Sequence, residues 1–215
     1  MPQVLNPLPL VVLVVLVVGL LVAEGRQSRP GIWATKPLAA GAYIWLAVSQ
    51  GATASAYGLA VLCALGLCWL GDVLLIPREN RAVFRAGVLA FLAGHLAYAV
   101  AFIVRGVDPV SLVVGLVLIL APALVVRRWL GDRVPGELRG AVQAYLVVIS
   151  LMFAMALGTH GSRDAWIIVA GAGLFWLSDL FVARDRFVRP GFPNRLAGLP
   201  LYFAAQALLA ISVAS

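Results

Sequence analysis

Residues 67–75 read Leu-Cys-Trp-Leu-Gly-Asp-Val-Leu-Leu, and residues 174–182 read Leu-Phe-Trp-Leu-Ser-Asp-Leu-Phe-Val. The two stretches match along their length, and each is an apolar run interrupted by a single carboxylate, Asp72 or Asp179. An ionisable side chain inside an apolar helix is costly, and within a membrane span it indicates a functional site. The equivalent placement of the two aspartates therefore predicts one shared role.

The composition is that of a membrane protein. Hydrophobic residues make up 63% of the 215 positions and charged residues only 12%, whereas about 25% of the residues in a soluble domain are charged. Apolar runs long enough to cross about 30 Å of hydrocarbon recur along the chain. Because the polar stretches between them are short, the sequence predicts one all-α transmembrane domain over residues 1–215.

The apolar runs predict a bundle of eight transmembrane helices. These are Pro7–Ala23, Ile32–Gln50, Ala54–Ile76, Phe84–Val104, Pro109–Val126, Gly140–Gly158, Ala165–Ala183 and Leu196–Val213. Of the 16 Lys and Arg residues, only Arg105 and Arg163 fall in even-numbered connections. The positive-inside rule therefore predicts a multi-pass protein of the plasma (inner) membrane, with both termini outside and the odd-numbered loops in the cytoplasm. No basic stripe with interleaved aromatics is present, so nucleic acid is not a predicted partner.

Asp72 and Asp179 are predicted to lie at one shallow depth. Their helices run in the same direction, and each aspartate lies about four residues, or about 6 Å, from the predicted cytoplasmic end. A weaker match follows each aspartate, between Gly-His-Leu-Ala-Tyr at 94–98 and Gly-Leu-Pro-Leu-Tyr at 198–202. Two interpretations remain open: two parallel four-helix halves, or chance similarity between short apolar runs.

Two readings of the aspartates also remain open. Each carboxylate is either solvated near the interface or paired with a loop arginine such as Arg78 or Arg184, or both face one pocket. The repetition favours the shared pocket. Two carboxyls in one low-dielectric pocket do not ionise together readily, so the pair divides into an acid and a base.

Other polar residues in the apolar runs are candidates for the same site. Lys36, one turn into the second helix, is either a snorkelling lysine or a cation that holds a phosphate or carboxylate. His95 is either a neutral packing histidine or a catalytic one, and helical rise places it about 8 to 10 Å deeper than the aspartates. Tyr202 and Gln206, one turn apart on the eighth helix, are placed to share a polar face with it.

These motifs, in their order, resemble the YhhN-like lysoplasmalogenase family. The matching elements are Thr35-Lys36-Pro37-Leu38, residues 71–75, residues 94–98, Ser178-Asp179 with Arg186-Phe187 downstream, and residues 202–206. The resemblance extends from about Ile32 to Ala210. It implies a membrane hydrolase that cleaves the vinyl ether bond of lysoplasmalogens, releasing a fatty aldehyde and glycerophosphoethanolamine or glycerophosphocholine.

The resemblance implies that Asp72 and Asp179 are the catalytic pair. One carboxyl protonates the outer alkene carbon to give an oxocarbenium ion, and the other activates water. We assign the acid to Asp179, because Gly71 lets water or backbone approach Asp72. Lys36, with a loop arginine, is expected to hold the head-group phosphate. The full set of expected substrate-binding residues is Lys36, His95, Tyr98, Ser178, Tyr202 and Gln206.

The expected partners are the lysophospholipid substrate and the surrounding membrane lipids. No metal or organic cofactor is required by this chemistry. The alternatives are a hydrolase of another single-tailed lipid and a proton-coupled transporter, whose site is expected deeper, near the midplane. An intramembrane aspartyl protease is a weaker alternative, because the Pro-Ala-Leu element at residues 122–124 lies between the two aspartates instead of after them. Head-group preference and oligomeric state are not predicted.

Overall fold

The computed structural model describes residues 6–77, 79–162 and 164–214, and over these residues the chain forms helices and no β-strand. The eight long helices are α1 (Pro7–Gly25), α2 (Arg29–Ser49), α3 (Ala56–Leu74), α4 (Arg81–Arg105), α5 (Pro109–Leu130), α6 (Gly136–Gly158), α7 (Ala165–Ala183) and α8 (Phe192–Ile211). The predicted all-α fold is thereby confirmed. Arg78 and Arg163, which enter the topology prediction, lie outside the described residues.

Seven of the eight helices are long and apolar enough to cross a membrane. The exception is α2, whose sequence includes Arg29 and Lys36 beside several small residues. The chain is therefore a multi-pass membrane protein by the length and composition of its helices.

Polar caps explain where several helices begin. The side chain of Ser28 accepts from the Gly31 amide at the start of α2, and that of Asp108 accepts from the Ser111 amide at the start of α5. Asn80 accepts from two amides at the start of α4. Such caps satisfy amides that have no partner within the helix. Each of these three helices therefore starts where a short polar side chain supplies the acceptor that the first amides lack within the helix.

The helices pack most extensively in the consecutive pairs α1–α2, α3–α4, α5–α6 and α7–α8. The pairs then meet in a repeated way, because α2 packs on α8 while α6 packs on α4. If α1–α4 and α5–α8 are taken as two groups, the second helix of each group packs on the fourth helix of the other group. This pattern is consistent with two similar four-helix halves.

Two glycines permit the close approach within the α3–α4 and α7–α8 pairs. A Cβ at Gly94 of α4 would lie 2.7 Å from Sγ of Cys68, and a Cβ at Gly198 of α8 would lie 3.0 Å from Cβ of Phe181. Small residues at such crossings let the backbones of membrane helices pack directly. The two glycines are the first residues of the matched stretches 94–98 and 198–202, so the weaker sequence match corresponds to equivalent packing.

Candidate active site

Both aspartates line one cavity of about 190 Å³. The cavity lies at the end of the bundle where α1, α3 and α7 finish and where α2, α4 and α8 begin. Its lining thus combines residues that are far apart in the chain. Among the predicted site residues, the ones in this lining are Lys36, Asp72, Ser178, Asp179 and Tyr202.

Asp72 is buried, with 2% of its surface exposed, and it has three side-chain partners. The Lys36 ammonium lies 3.2 Å from Oδ1 and also donates to the Asp72 backbone carbonyl at 3.1 Å. Oδ2 accepts from the hydroxyl of Tyr202 at 2.6 Å and from that of Tyr43 at 3.3 Å. A buried carboxylate is tolerated when it is paired and hydrogen-bonded, so these contacts stabilise a charged Asp72.

A chain of hydrogen bonds continues from Asp72 into the bundle. The Tyr98 hydroxyl donates to Oε1 of Gln206 at 2.6 Å, and Nε2 of Gln206 donates to the Tyr202 hydroxyl at 3.0 Å. Tyr202 in turn donates to Asp72. All donors point toward the carboxylate, and hydrogen bonds aligned in this way polarise one another. The chain therefore fixes the orientation of Tyr202 and of Asp72.

Asp179 has different surroundings. Its side chain is 17% exposed, and Oδ2 accepts from the Tyr145 hydroxyl at 2.8 Å. The other close group is Nε2 of His95, 3.7 Å from the same oxygen. Within the described part of the chain, neither a lysine nor an arginine forms an ion pair with Asp179. The two carboxyls of the cavity therefore differ in their counter-charge.

His95 is fully buried and faces Asp179 with a bare nitrogen. Its Nδ1 donates to the Phe91 carbonyl at 2.6 Å, and a carbonyl only accepts, so Nδ1 carries the proton of the neutral ring. Nε2 is then an acceptor, and it has no hydrogen-bond partner in the part of the chain that the structure describes. The 3.7 Å separation from Oδ2 of Asp179 is longer than a hydrogen bond, and a proton on either group turns this pair of facing acceptors into a donor and an acceptor.

Aromatic rings connect the surroundings of the two aspartates. The ring of Phe175 lies 4.5 Å from that of His95 and 5.3 Å from that of Tyr202, and Phe91 contacts both Phe175 and Tyr202. Edge-to-face contacts between such rings favour one arrangement over others. The surroundings of both aspartates therefore pack against the same cluster of aromatic rings.

Three predicted residues lie behind the cavity and do not line it. His95, Tyr98 and Gln206 are fully buried, and the structure places them in the hydrogen-bond networks described above. His95 approaches Asp179 although helical rise alone placed it about 8 to 10 Å deeper. Ser178 lines the cavity, and its hydroxyl donates to the Phe175 carbonyl at 2.8 Å.

The sequence offered two loop arginines, Arg78 and Arg184, as alternative partners of the aspartates, and the structure describes one of them. Arg184 donates to Oδ1 of Asn194, so its described contact is with an amide and not with Asp179. Arg78, the other arginine considered, lies outside the described residues. The low exposure of Asp72 and Asp179 argues against two solvated surface carboxylates.

Tyr43 and Tyr145 are part of the site but were missed by sequence reasoning. Each donates to the aspartate of its own half, and each follows an alanine on the second helix of that half, in Ala42-Tyr43 and Ala144-Tyr145. This repeated dipeptide was the available signal. It is weak alone, because tyrosine is common in membrane helices.

A network of polar groups forms part of the cavity lining. Arg195 pairs through Nη1 with Glu24 at 3.2 Å and through Nη2 with Asp185 at 3.5 Å. Asn194 donates to Oδ1 of Asp185 at 3.1 Å, and the Gly191 amide donates to the same oxygen at 2.7 Å. The start of α8 is thereby tied to the end of α1 and to the turn after α7.

The sequence profile of the YhhN family matches residues 31–213. The chain belongs to the YhhN family. This YhhN chain is 34% identical over 149 residues to lysoplasmalogenase TMEM86A of Bos taurus, covering 66% of the chain and 60% of the relative. It is 33% identical over 154 residues to lysoplasmalogenase TMEM86B of Sus scrofa (72% and 61% covered) and 31% identical over 170 residues to TMEM86B of Homo sapiens (79% and 68%).

The YhhN chain therefore aligns with about 60% of the length of the first two relatives. No solved structure matches it. The matched residues 31–213 include both aspartates and every other predicted site residue.

Proposed function

We propose that this YhhN protein is a membrane-embedded hydrolase that cleaves the vinyl ether bond of lysoplasmalogens to a fatty aldehyde and a glycerophospho-alcohol. The observation that carries the proposal is the pair of aspartates in one cavity, of which Asp72 has a lysine counter-ion and Asp179 has no Lys or Arg partner among the described residues. The names of the relatives, all lysoplasmalogenases, support the substrate class.

The proposed orientation has all eight helices crossing the plasma membrane, with the cavity at the cytoplasmic ends. The concentration of arginines in the odd-numbered connections supports this orientation. Asp72 lies two residues before the end of α3 and Asp179 four residues before the end of α7, which corresponds to about 3 Å and 6 Å along the helix axes. The vinyl ether is the first bond of the lipid tail beside glycerol, so a shallow site suits it.

Asp179 acts as the acid. Asp179 lacks an arginine or lysine partner among the described residues, and a proton shared with Nε2 of His95 resolves the contact between two acceptors. This carboxyl transfers its proton to the outer alkene carbon, which leaves an oxocarbenium ion on the carbon bonded to the ether oxygen. The transition state resembles that of glycoside cleavage, for which paired carboxyls are suited.

Asp72 acts as the base. Its charge is balanced by Lys36, and its orientation is fixed by Tyr202. The carboxylate removes a proton from the water that attacks the oxocarbenium carbon. In the collapse of the resulting hemiacetal, Asp179 removes the hydroxyl proton and Asp72 returns its proton to the departing glycerol oxygen. The products are the aldehyde and the alcohol, one water is consumed per bond cleaved, and both carboxyls return to their starting states.

The other predicted site residues have two kinds of role, according to whether they line the cavity or lie behind it. Lys36, Ser178 and Tyr202 contact the substrate from the cavity lining, whereas His95, Tyr98 and Gln206 act from behind it as positioning residues. Among the described residues no group of three or more His, Cys, Asp and Glu side chains is arranged as a metal site, and the proposed steps use side chains and water alone.

The test uses purified full-length protein in detergent with lysoplasmenyl-ethanolamine, scored for fatty aldehyde. We expect aldehyde from the unmodified protein and none above background from Asp72→Asn or Asp179→Asn, each checked for folding by size-exclusion chromatography. Near-normal activity in either folded variant would contradict the two-aspartate mechanism. Cleavage of the matched ester lipid, without aldehyde from the vinyl ether, would move the assignment to another single-tailed lipid, and uptake without hydrolysis would favour a transporter.

A further inference from the structure

Three cationic side chains line the cavity within the described part of the chain: Lys36, Arg186 and Arg195. Lys36 is held by the carboxylate and backbone carbonyl of Asp72. Arg195 places its two terminal nitrogens against carboxylates, and its remaining Nε is buried with no hydrogen-bond partner among the described residues. Two of the three N–H groups of Lys36 are directed at Asp72, and the buried Nε of Arg195 is closed to a ligand in the cavity, so both cations are already balanced by carboxylates.

Arg186 is different. It lies in the short π-helical turn Arg184–Val188 that follows α7, and its guanidinium lies 4.1 Å from the ring centroid of Phe84 on α4. Among the described residues no carboxylate forms an ion pair with it. A guanidinium stacked on an aromatic face keeps the N–H groups on its edge available. Turns of this π type recur at functional sites.

The charges of the lining make an open cation necessary for an anionic ligand. Among the described residues, four carboxyl side chains line the cavity with these three cations: those of Glu24, Asp72 and Asp185, and that of Asp179, which carries a proton in the proposed mechanism. At short range in a partly buried site, repulsion between like charges is large. An anion therefore enters only where a cation is not already neutralised, and Arg186 meets that condition.

We infer that Arg186, held by Phe84, forms the subsite for the phosphodiester of a single-tailed phospholipid. The lipid class rests on the proposed function, whereas the phosphate subsite rests on the contacts of Arg186. A guanidinium edge matches two phosphate oxygens with parallel hydrogen bonds. The sequence predicted Lys36 and a loop arginine as the phosphate-binding cations; Lys36 remains with Asp72, and Arg186 is the arginine that takes this role.

Kinetics on paired substrates test the subsite. The substrates are lysoplasmenyl-ethanolamine and 1-alkenylglycerol, which has the same vinyl ether and no phosphate. Arg186→Gln is expected to raise KM for the phospholipid roughly tenfold or more. Its kcat for the phospholipid, and its kcat and KM for the alkenylglycerol, are expected to stay within about twofold of those of the unmodified protein. Arg189→Gln is the matched control, because Arg189 is exposed on the same segment and does not line the cavity. Equal KM changes on both substrates, or none, overturn the subsite.

Two further variants keep the result interpretable. Arg186→Lys is expected to recover part of the affinity, since a point charge replaces a two-pronged donor. Phe84→Leu keeps the Arg186 guanidinium but removes the aromatic ring on which it stacks. This variant is expected to raise KM for the phospholipid and to leave KM for the alkenylglycerol unchanged. If Phe84→Leu changes nothing while Arg186→Gln does, the stacking is not what positions the guanidinium, and that half of the inference fails.

A binding measurement separates this inference from the proposed function. The probes are 1-O-alkyl-glycerophosphocholine, which has no vinyl ether to cleave, and 1-O-alkylglycerol, followed by tryptophan fluorescence in detergent. Selective loss of the phosphocholine lipid in Arg186→Gln supports the subsite even if no aldehyde is ever released. Aldehyde release with unchanged binding selectivity supports the hydrolase and overturns the subsite. Inorganic phosphate is added as a competitor, and if it binds at Arg186 while lipid affinity is independent of that residue, the ligand is free phosphate and the lipid assignment is wrong.

Discussion

The Tyr145 hydroxyl donates a 2.8 Å hydrogen bond to Oδ2 of Asp179. Tyr43 makes the corresponding contact to Asp72 at 3.3 Å. Asp72 has two further described partners, an ammonium and a second phenol, whereas the other described contact of Asp179 is an imidazole nitrogen. The Tyr145 contact is therefore both shorter and less well supported by neighbours, so its removal leaves Asp179 with little to orient it.

Tyr145→Phe is expected to lower kcat for vinyl ether cleavage about tenfold or more, with a smaller effect on KM, because a charge-assisted hydrogen bond is lost. Tyr43→Phe is the matched control and is expected to lose less, since the Asp72 carboxylate keeps its stronger partners. Aldehyde release by the two purified variants gives the comparison. A larger loss in Tyr43→Phe would contradict the unequal support inferred for the two carboxyls.

Replacing His95 is expected to change the pH dependence of the reaction as well as its rate. In His95→Phe the proton shared with Asp179 has no second site, so kcat is expected to fall by about a hundredfold and the pH–rate profile to lose one ionisation. His160, the other histidine of the chain, lies in the connection before α7, and His160→Asn is expected to leave both unchanged. A His95→Phe enzyme that is slower at every pH by one constant factor would indicate a packing role alone.

Lys36→Met is expected to destabilise the fold by about 3–5 kcal/mol, because it leaves the Asp72 carboxylate buried and unpaired. The double variant Lys36→Met/Asp72→Asn removes both charges and is expected to regain much of that stability while remaining inactive. Unfolding in detergent, measured for the two single variants and the double variant, gives the coupling energy. Additive effects would mean that the ammonium and the carboxylate do not interact in the folded protein.

Gly94→Ala is expected to destabilise the α3–α4 contact by about 1–3 kcal/mol, because its new Cβ would lie 2.7 Å from Sγ of Cys68. Adding Cys68→Ala removes the sulfur and is expected to restore part of the loss. Gly41→Ala serves as the control, since nothing lies within 4 Å of a Cβ built there. Thermal unfolding of the four proteins measures this, and equal midpoints for Gly94→Ala and Gly41→Ala would refute the close packing.

The sequence predicted the number and order of the long helices well because hydropathy marks which residues favour the apolar layer. It predicted helix ends less well at α8, which begins at Phe192 and not at Leu196, and at α5, which continues to Leu130 past Arg127. In both places charged residues belong to a helix whose hydrogen bonds continue beyond the apolar run. Hydropathy indicates which side chains favour the apolar layer, and it does not indicate where the backbone hydrogen bonds of a helix end.

The site was predictable where a charge interrupts an apolar run and unpredictable where contact depends on helix rotation. Asp72 and Asp179 stood out for the first reason. Tyr145 did not, because its hydroxyl reaches Asp179 only through the way α6 is turned against α7. Helical rise placed His95 about 8 to 10 Å deeper than Asp179 and did not predict the 3.7 Å approach of Nε2 to Oδ2, since rise along separate helix axes ignores side-chain reach and the relative shift of α4 and α7.

The two groups of four helices pack in a similar way, but the neighbours of their two carboxyls differ. Two identical subunits related by a twofold axis would surround both aspartates with the same neighbours, so proton donor and acceptor would be interchangeable. Here one continuous polypeptide supplies both halves, and each position mutates independently. One aspartate therefore has a lysine beside it and the other a histidine, and in the proposed mechanism this fixed polarity sets which end of the bond receives the proton.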